Sequence, residues 1–276
     1  MKLDLISKDM RKLIFKTAYS GHTGHIASAM SVVEILTSLY FGDILQYNPK
    51  NPLWIERDKL IMSKGHASLA LYSTLAMAGY FPIEELKTFC HPFSKFGGEP
   101  KNGDIPGIEA TTGSLGHGLS FAVGIALASK LDSIQNRIYV ILGDGECQEG
   151  SVWEAAMSAA HYKLDNLTVI LDYNKLQAMG EIEDILSLNP INKKWEYFGW
   201  EVLEIDGHNL KEIQEVLSMD RQRDIKKPRI IIAHTIKGKG ISFMENVPIW
   251  HYRMPNEEEL QIVLNDLELS KEELLN

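Results

Sequence analysis

Short apolar runs separated by polar and glycine-rich stretches set the rhythm of this chain. Five of them, Asp58 to Ser63, Arg137 to Leu142, Leu167 to Leu171, Glu201 to Ile205 and Arg229 to Ala233, have strand length and several end at turn residues, so they read as strands. Ile6 to Tyr19, Ala27 to Phe41, Gly65 to Tyr80, Gly118 to Leu131, Glu149 to Tyr162 and Leu210 to Ser218 carry apolar residues at helical spacing. Strand, helix and strand from Arg137 to Leu171 have the length of one βαβ unit, whose strands run parallel. The pattern predicts an α/β fold with three layers, a mostly parallel central sheet flanked by helices. Residues 81–110 are rich in Pro, Gly and charge and read as a long mobile connection, and Ala178 to Lys194 reads as an acidic and polar one. The tail from Asn256 is acidic and helical in pattern, a solvated end or a partner-facing one. With no repeat or linker in view, residues 1–276 are expected to form a single domain.

Composition narrows the function. A net charge of −9 argues against a general nucleic-acid binder and means that an anionic cofactor must be held by local groups. The first twenty residues mix charge throughout and no run is long enough to span a bilayer, so the expected place is the cytoplasm, without a membrane partner. Cys90 and Cys147 form no disulfide framework and no metal-binding spacing.

The chemistry gathers between Arg137 and Gln177. In a βαβ unit the loops after both strands open at the same sheet edge, where ligands of open α/β sheets bind, so Asp144 and Asn174 converge. One carboxylate, one amide oxygen and a loop carbonyl, taken as that of Leu176, make an incomplete cage of hard oxygens. It suits Mg²⁺, with Ca²⁺ as the alternative, completed by phosphate and water, and suits Zn²⁺ poorly. Gly143-Asp144-Gly145 lets a phosphate approach the backbone, although the same tripeptide serves as an ordinary turn elsewhere. His22 and His25 share a glycine-bounded turn, which is either a proton-transfer site or a surface turn. His66 stands at a helix start, placed to meet a diphosphate or simply to cap the helix. Lys237 lies in an alternating Lys and Gly stretch after a strand, open to phosphate but also common on surfaces.

Several segments together resemble transketolase. GDGECQEG, with YNKLQ following so that Asn174 stands thirty residues after Asp144, resembles the thiamine diphosphate signature of that family. SGHTG, SKGHASLALYSTLAMAGY, TTGSLGHGLSFAVG, EIDGHN and HTIKGKGISFMEN resemble further transketolase segments in the same order. The resemblance implies a thiamine diphosphate-binding fold with Mg²⁺ held by Asp144, Asn174 and Leu176. It implies cofactor contacts from His66, Gly113, Ser114, Leu115, Gly143, Asp144, Gly145, Glu149, Asn174, Lys237 and His251, with Glu149 also near a subunit contact. It assigns proton transfer and hydroxyl orientation to His22, His66 and His251, His22 being matched to the family's substrate histidine and His25 being left aside.

The module that brings the glutamate for the aminopyrimidine has no counterpart in these 276 residues. The chain therefore resembles the amino-terminal subunit of a split transketolase, expected to act on sugar phosphates with a separate carboxyl-terminal subunit in a heterotetramer. Two alternatives are another split thiamine diphosphate enzyme with a non-standard donor, and a non-catalytic chain that keeps the cofactor pocket. Four positions depart from the family pattern: Thr23 after Gly-His, Glu99 in Gly98-Glu99-Pro100 where a histidine contacts the donor, His117 for Gln, and Tyr252 for Gly after Trp-His. Tyr252 is expected either to strain its turn or to cover the pocket.

Overall fold

Strands that are apolar on both faces need cover on both sides, and the chain supplies it with helices. The computed structural model describes residues 2–221 and 224–275. Helices α1 (Lys2–Gly21), α2 (Ile26–Met30) and α3 (Val33–Phe41) precede β1 (Lys59–Met62). Helices α4 (Ser68–Met77) and α5 (Gly118–Leu131) lead to β2 (Ile138–Gly143), and α6 (Gly150–His161) crosses to β3 (Leu167–Tyr173). After α7 (Ile182–Leu186) and α8 (Ile191–Tyr197) come β4 (Glu201–Asp206), α9 (Leu210–Ser218) and β5 (Arg229–His234), and then α10 (Glu257–Asp266) and α11 (Lys271–Leu275).

The sheet runs in the order β1-β2-β3-β5-β4, and each neighbouring pair is parallel. Alternation along β2 sends Ile138, Val140 and Leu142 into one core and Tyr139 and Ile141 into the other. Along β5, Ile230 and Ile232 face the first core and Ile231 and Ala233 the second. Gly143 lies opposite Asp172 and Tyr173 opposite His234, so the carboxyl ends of β2, β3 and β5 reach one edge together. The expected three-layer parallel fold is the one found.

Boundaries of the predicted strands hold to within two residues, but the helices divide differently. Ala27 to Phe41 is two helices, because Ser31 lies within hydrogen-bond reach of both Ser28 O and Asp172 and so turns toward the sheet. A short 3-10 turn, Gly65–Ala67, stands before α4. The polar stretch before β4 holds α7 and α8, the latter anchored by buried Ile191 and Trp195. The 81–110 connection has one 3-10 turn, Ile83–Thr88, and inserts Phe81, Leu86, Phe89, Phe96, Ile105 and Ile108 into the core. The acidic tail buries Val263, Leu264, Leu267, Leu269 and Leu274 on one face, beginning from a capping box between Asn256 and Glu259. Tyr252 has no positive φ, so its side chain does not strain the turn.

Trp195 is fully buried, 5.2 Å from the Trp153 ring and 4.9 Å from that of Trp200, and its indole N–H has no hydrogen-bond partner among the described residues. Trp195→Ala therefore removes packing without breaking a hydrogen bond. It should lower stability by about 3–5 kcal/mol, read as a reduced urea midpoint with an unchanged slope.

Candidate functional site

The turns after β1, β2, β3 and β5 surround a cavity of about 370 Å³ at the carboxyl edge of the sheet. Its lining includes Asp144 and Asn174 as expected, together with His25, His66, Glu99, Lys237 and His251. Gly113, Leu115, Gly143, Gly145, Glu149 and Leu176 also line it.

Asp144 begins a 3-10 turn and is almost wholly buried. Its carboxylate accepts from the backbone N–H groups of Gly145 and Lys175 and pairs with no side chain among the described residues. Burial first, and the neighbouring charge of Asp172 second, push its pKa up to about 7. An ionised carboxylate in that place calls for a cation. Asn174 donates from Nδ2 to Asp172 at 3.1 Å, which orients its Oδ1, and Oδ1 accepts from Leu176 N at 3.0 Å. The Leu176 carbonyl receives the Lys237 ammonium at 3.1 Å. A cationic group thus already meets one of the oxygens expected to hold a metal, and the donor set suits a hard divalent ion. Among the described residues no three His, Cys, Asp or Glu side chains cluster as metal ligands, consistent with a set built from one carboxylate, an amide and a carbonyl.

Three imidazoles line the cavity. His25 lies 5.3 Å from His66 and 5.1 Å from His251, and His66 lies 5.5 Å from His251, all between ring centroids. Burial, and then the Lys237 charge, lower the pKa of His25 to about 4 and that of His251 to about 3. His66 is held well below its ordinary value by burial and then by Lys64. At neutral pH all three rings are uncharged, each with one donor and one acceptor nitrogen. His251 Nδ1 faces Lys237 Nζ at 2.9 Å, so its ring proton resides on Nε2. Burial, opposed in part by Asp144 and Asp172, lowers Lys237 to about 8.

His22 does not join them. It sits just past the end of α1 with φ 49° and lines a separate groove with Leu13, Lys16, Ile83, Lys87 and Leu274. Of the two Gly-His pairs, the second abuts α2 and is carried to the sheet edge. Ser114 and His117 also lie outside the cavity, on an apolar surface shared with Phe121 and Ile125. Glu99 is held by its backbone, whose carbonyl accepts from the Tyr72 hydroxyl at 3.0 Å, and its side chain crosses Gly113. A Cβ at Gly113 would come within 2.7 Å of Glu99 Cγ, and φ is +138° there, so glycine is required. Buried Lys64, Asp172 and Glu146 were not anticipated, since a lone charge at a strand end carries no mark of its partners.

The sequence profile described as "Transketolase, thiamine diphosphate binding domain" matches residues 4–270. The chain is 47% identical over 257 residues to an apulose-4-phosphate transketolase subunit of Actinobacillus succinogenes, covering 93% of this chain and 92% of that protein. It is 43% identical over 259 residues to "6-deoxy-6-sulfo-D-fructose transketolase subunit SqwG" of Clostridium sp., covering 94% of each. The structure of transketolase from Campylobacter jejuni superposes with a TM-score of 0.90 at 32% identity, over 98% of this chain and 43% of that one. This chain thus spans less than half of that transketolase and nearly the whole of the two relatives named as subunits.

Lowered histidine pKa values make stability depend on pH with a defined sign. Unfolding lets His25 and His251 take up protons below about 6.5, so the stability they contribute is fully present above that pH and is lost as the pH falls toward 4 and 3. The denaturation free energy should therefore fall from pH 6.5 to 4.5 less steeply in a His25→Asn/His251→Asn variant than in the unaltered chain. Parallel slopes would contradict the burial of neutral rings.

Proposed function

The chain belongs to the transketolase family through its thiamine diphosphate-binding domain, and from that premise we propose that it is the amino-terminal subunit of a split transketolase. It transfers a two-carbon ketol unit from a ketose phosphate, or a ketose with another anionic end, to an aldose phosphate. A separate carboxyl-terminal subunit completes the enzyme, in a heterotetramer. The observation that carries this reading is the convergence of Asp144, Asn174, Lys237 and three uncharged imidazoles at one sheet edge.

Asp144, Asn174 and the Leu176 carbonyl hold Mg²⁺, which answers the buried carboxylate's need for a cation. His66, Lys237, His251 and the Gly143-Asp144-Gly145 turn hold the diphosphate, while Gly113 and Leu115 face the rings. Gln177 supports the same reading, because its side-chain N–H₂ at this cavity lacks a protein acceptor among the described residues. When bound, thiamine diphosphate supplies the carbanion chemistry that breaks and forms the carbon–carbon bond. The protein orients the sugar and handles its hydroxyl protons. We assign that work to His66, His251 and His25, the last in the place first expected of His22.

A second chain is supported by an apolar surface on α5, where Phe121, 51% exposed, lies with Ile125 beside Ser114 and Gly124. Glu99 lines the cavity with an acceptor-only group, and the two relatives named as subunits carry names of unusual donors, apulose 4-phosphate and 6-deoxy-6-sulfo-D-fructose. Both considerations favour a donor other than xylulose 5-phosphate.

The test is ketol transfer by the purified chain with thiamine diphosphate and Mg²⁺, alone and with the carboxyl-terminal subunit, using these three sugars as donors. Activity is expected only in the mixture, and none in either arm would refute the transferase reading. Asp144→Ala should weaken Mg²⁺-dependent cofactor binding by more than the about 10–100-fold that an outer-shell loss costs, measured by calorimetry. Glu99→Gln should lower kcat/KM for the preferred donor about tenfold, mainly through KM, and leave cofactor affinity unchanged.

A further inference from the structure

His25 is held in the cavity by packing alone. Neither ring nitrogen has a hydrogen-bond partner among the described residues, whereas His251 is tied to Lys237. Its orientation rests on three rings, and the nearest is Tyr252, at 4.6 Å between centroids and tilted by 45°. Tyr252 is 60% exposed. An exposed ring keeps one position only when its far end is held, and the Tyr252 hydroxyl lies 2.6 Å from Thr23 Oγ1.

Thr23 stands two residues before His25, so the contacts close a ring: backbone from Thr23 to His25, imidazole to phenol, and phenol back to Thr23. Between them Gly24 has φ +135°, and a Cβ there would lie 2.7 Å from Leu69 Cδ1. The turn that delivers His25 is thus conformationally free by composition, and a tertiary contact has to settle it. The other end is firm. Tyr252 closes the 3-10 turn Pro248–Tyr252, whose buried Trp250 packs 4.7 Å from Phe243 and beneath the Arg253 guanidinium at 4.3 Å. The same turn carries His251. Two pocket imidazoles from distant parts of the chain are therefore joined through one phenol.

We propose that Tyr252 is a positioning residue for His25, its ring setting the imidazole's orientation and its hydroxyl bond to Thr23 locking the turn before α2 to the 248–252 turn. That His25 then presents a nitrogen to a sugar hydroxyl rests on the proposed ketol transfer. That Tyr252 orients it does not. The residue that departs from glycine in the Trp-His-Gly pattern, and the threonine of the Gly-His-Thr departure, form a single device.

Two readouts test the clasp. In the full chain labelled at histidine, with the imidazole signals assigned by His25→Asn, Tyr252→Phe and Thr23→Val should each shift and broaden the His25 signal to the same extent. Combining them should move it no further, because both remove one bond. Tyr252→Ala, which also removes the ring, should move it more. In the enzyme completed by its second subunit, the two mild variants should lower kcat about threefold and Tyr252→Ala about tenfold or more. Thiamine diphosphate affinity should stay unchanged. An unaltered His25 signal in Tyr252→Ala, or additive effects of the mild variants, overturns the clasp. Signals that respond as expected in a protein that transfers no ketol unit uphold the clasp and overturn the proposed function instead.

Discussion

A carboxylate with no solvent exposure at the end of β3 is the constraint on which the site depends. Asp172 accepts hydrogen bonds from Lys64, Ser31, Thr235 and Asn174. These donors follow β1, lie at the end of α2, follow β5 and follow β3. A buried charge left without its partner costs about 3–5 kcal/mol, so the segments are obliged to meet there. Burial alone pushes the Asp172 carboxyl up, but Lys64 beside it and the Thr235 and Ser31 hydrogen bonds outweigh burial and hold it below the usual range. Each donor is then placed for another purpose. Asn174 commits its N–H₂ and keeps its oxygen toward the cavity, Ser31 breaks the helix behind His25, and Thr235 brings Lys237 to the same edge.

Asp144, in the turn after the neighbouring strand β2, has the opposite fate. It is nearly as buried, yet among the described residues it accepts from two backbone N–H groups and no side chain, and its pKa rises to about 7 where that of Asp172 falls. Two buried carboxylates at one edge are thereby divided into one met by a lysine and side-chain donors and one met, among the described residues, by backbone N–H groups. Glu146 completes the frame. It accepts from Ser63 Oγ at 2.6 Å, Gly116 N at 2.9 Å and Gly143 N at 3.0 Å, joining the turns after β1 and β2 to the glycine loop before α5. Charge, rather than apolar packing, aligns the four turns.

Within this frame the histidines are kept neutral by burial and by nearby lysines. Such rings can pass a proton or bond a hydroxyl without adding positive charge to the cavity. The apolar surface of Phe121 and Ile125 on α5 includes Thr111, Thr112 and Ser114 of the cavity's glycine loop, so a second chain covering it would also wall the site. The chain has its own continuous sheet and two cores, one on each face.

The apolar runs by themselves determined the five strands, their parallel direction and the edge at which ligands gather. The cause is local for four of them, since a buried strand must be largely apolar on both faces and stops where glycine or a charge interrupts it, while β4 lies at the sheet edge with Glu204 exposed. Gly143-Asp144-Gly145 and Asn174 were legible for the same reason, since strand ends deliver them without help from the rest of the chain. The break between α2 and α3, the placing of His25 rather than His22 in the cavity and the union of Lys64 with Asp172 were decided only by tertiary structure. Ser31 bends its helix for a carboxylate 141 positions away. His25 and His22 have the same Gly-His context, and only the packing of α2 against the sheet sends one inward. Tyr252 reads in the sequence as straining its turn or covering the pocket; its φ is not positive, so the first does not hold, and its hydroxyl meets Thr23 across 229 positions. Pairings of this kind depend on which segments the fold brings together, and that is information no single stretch of residues contains.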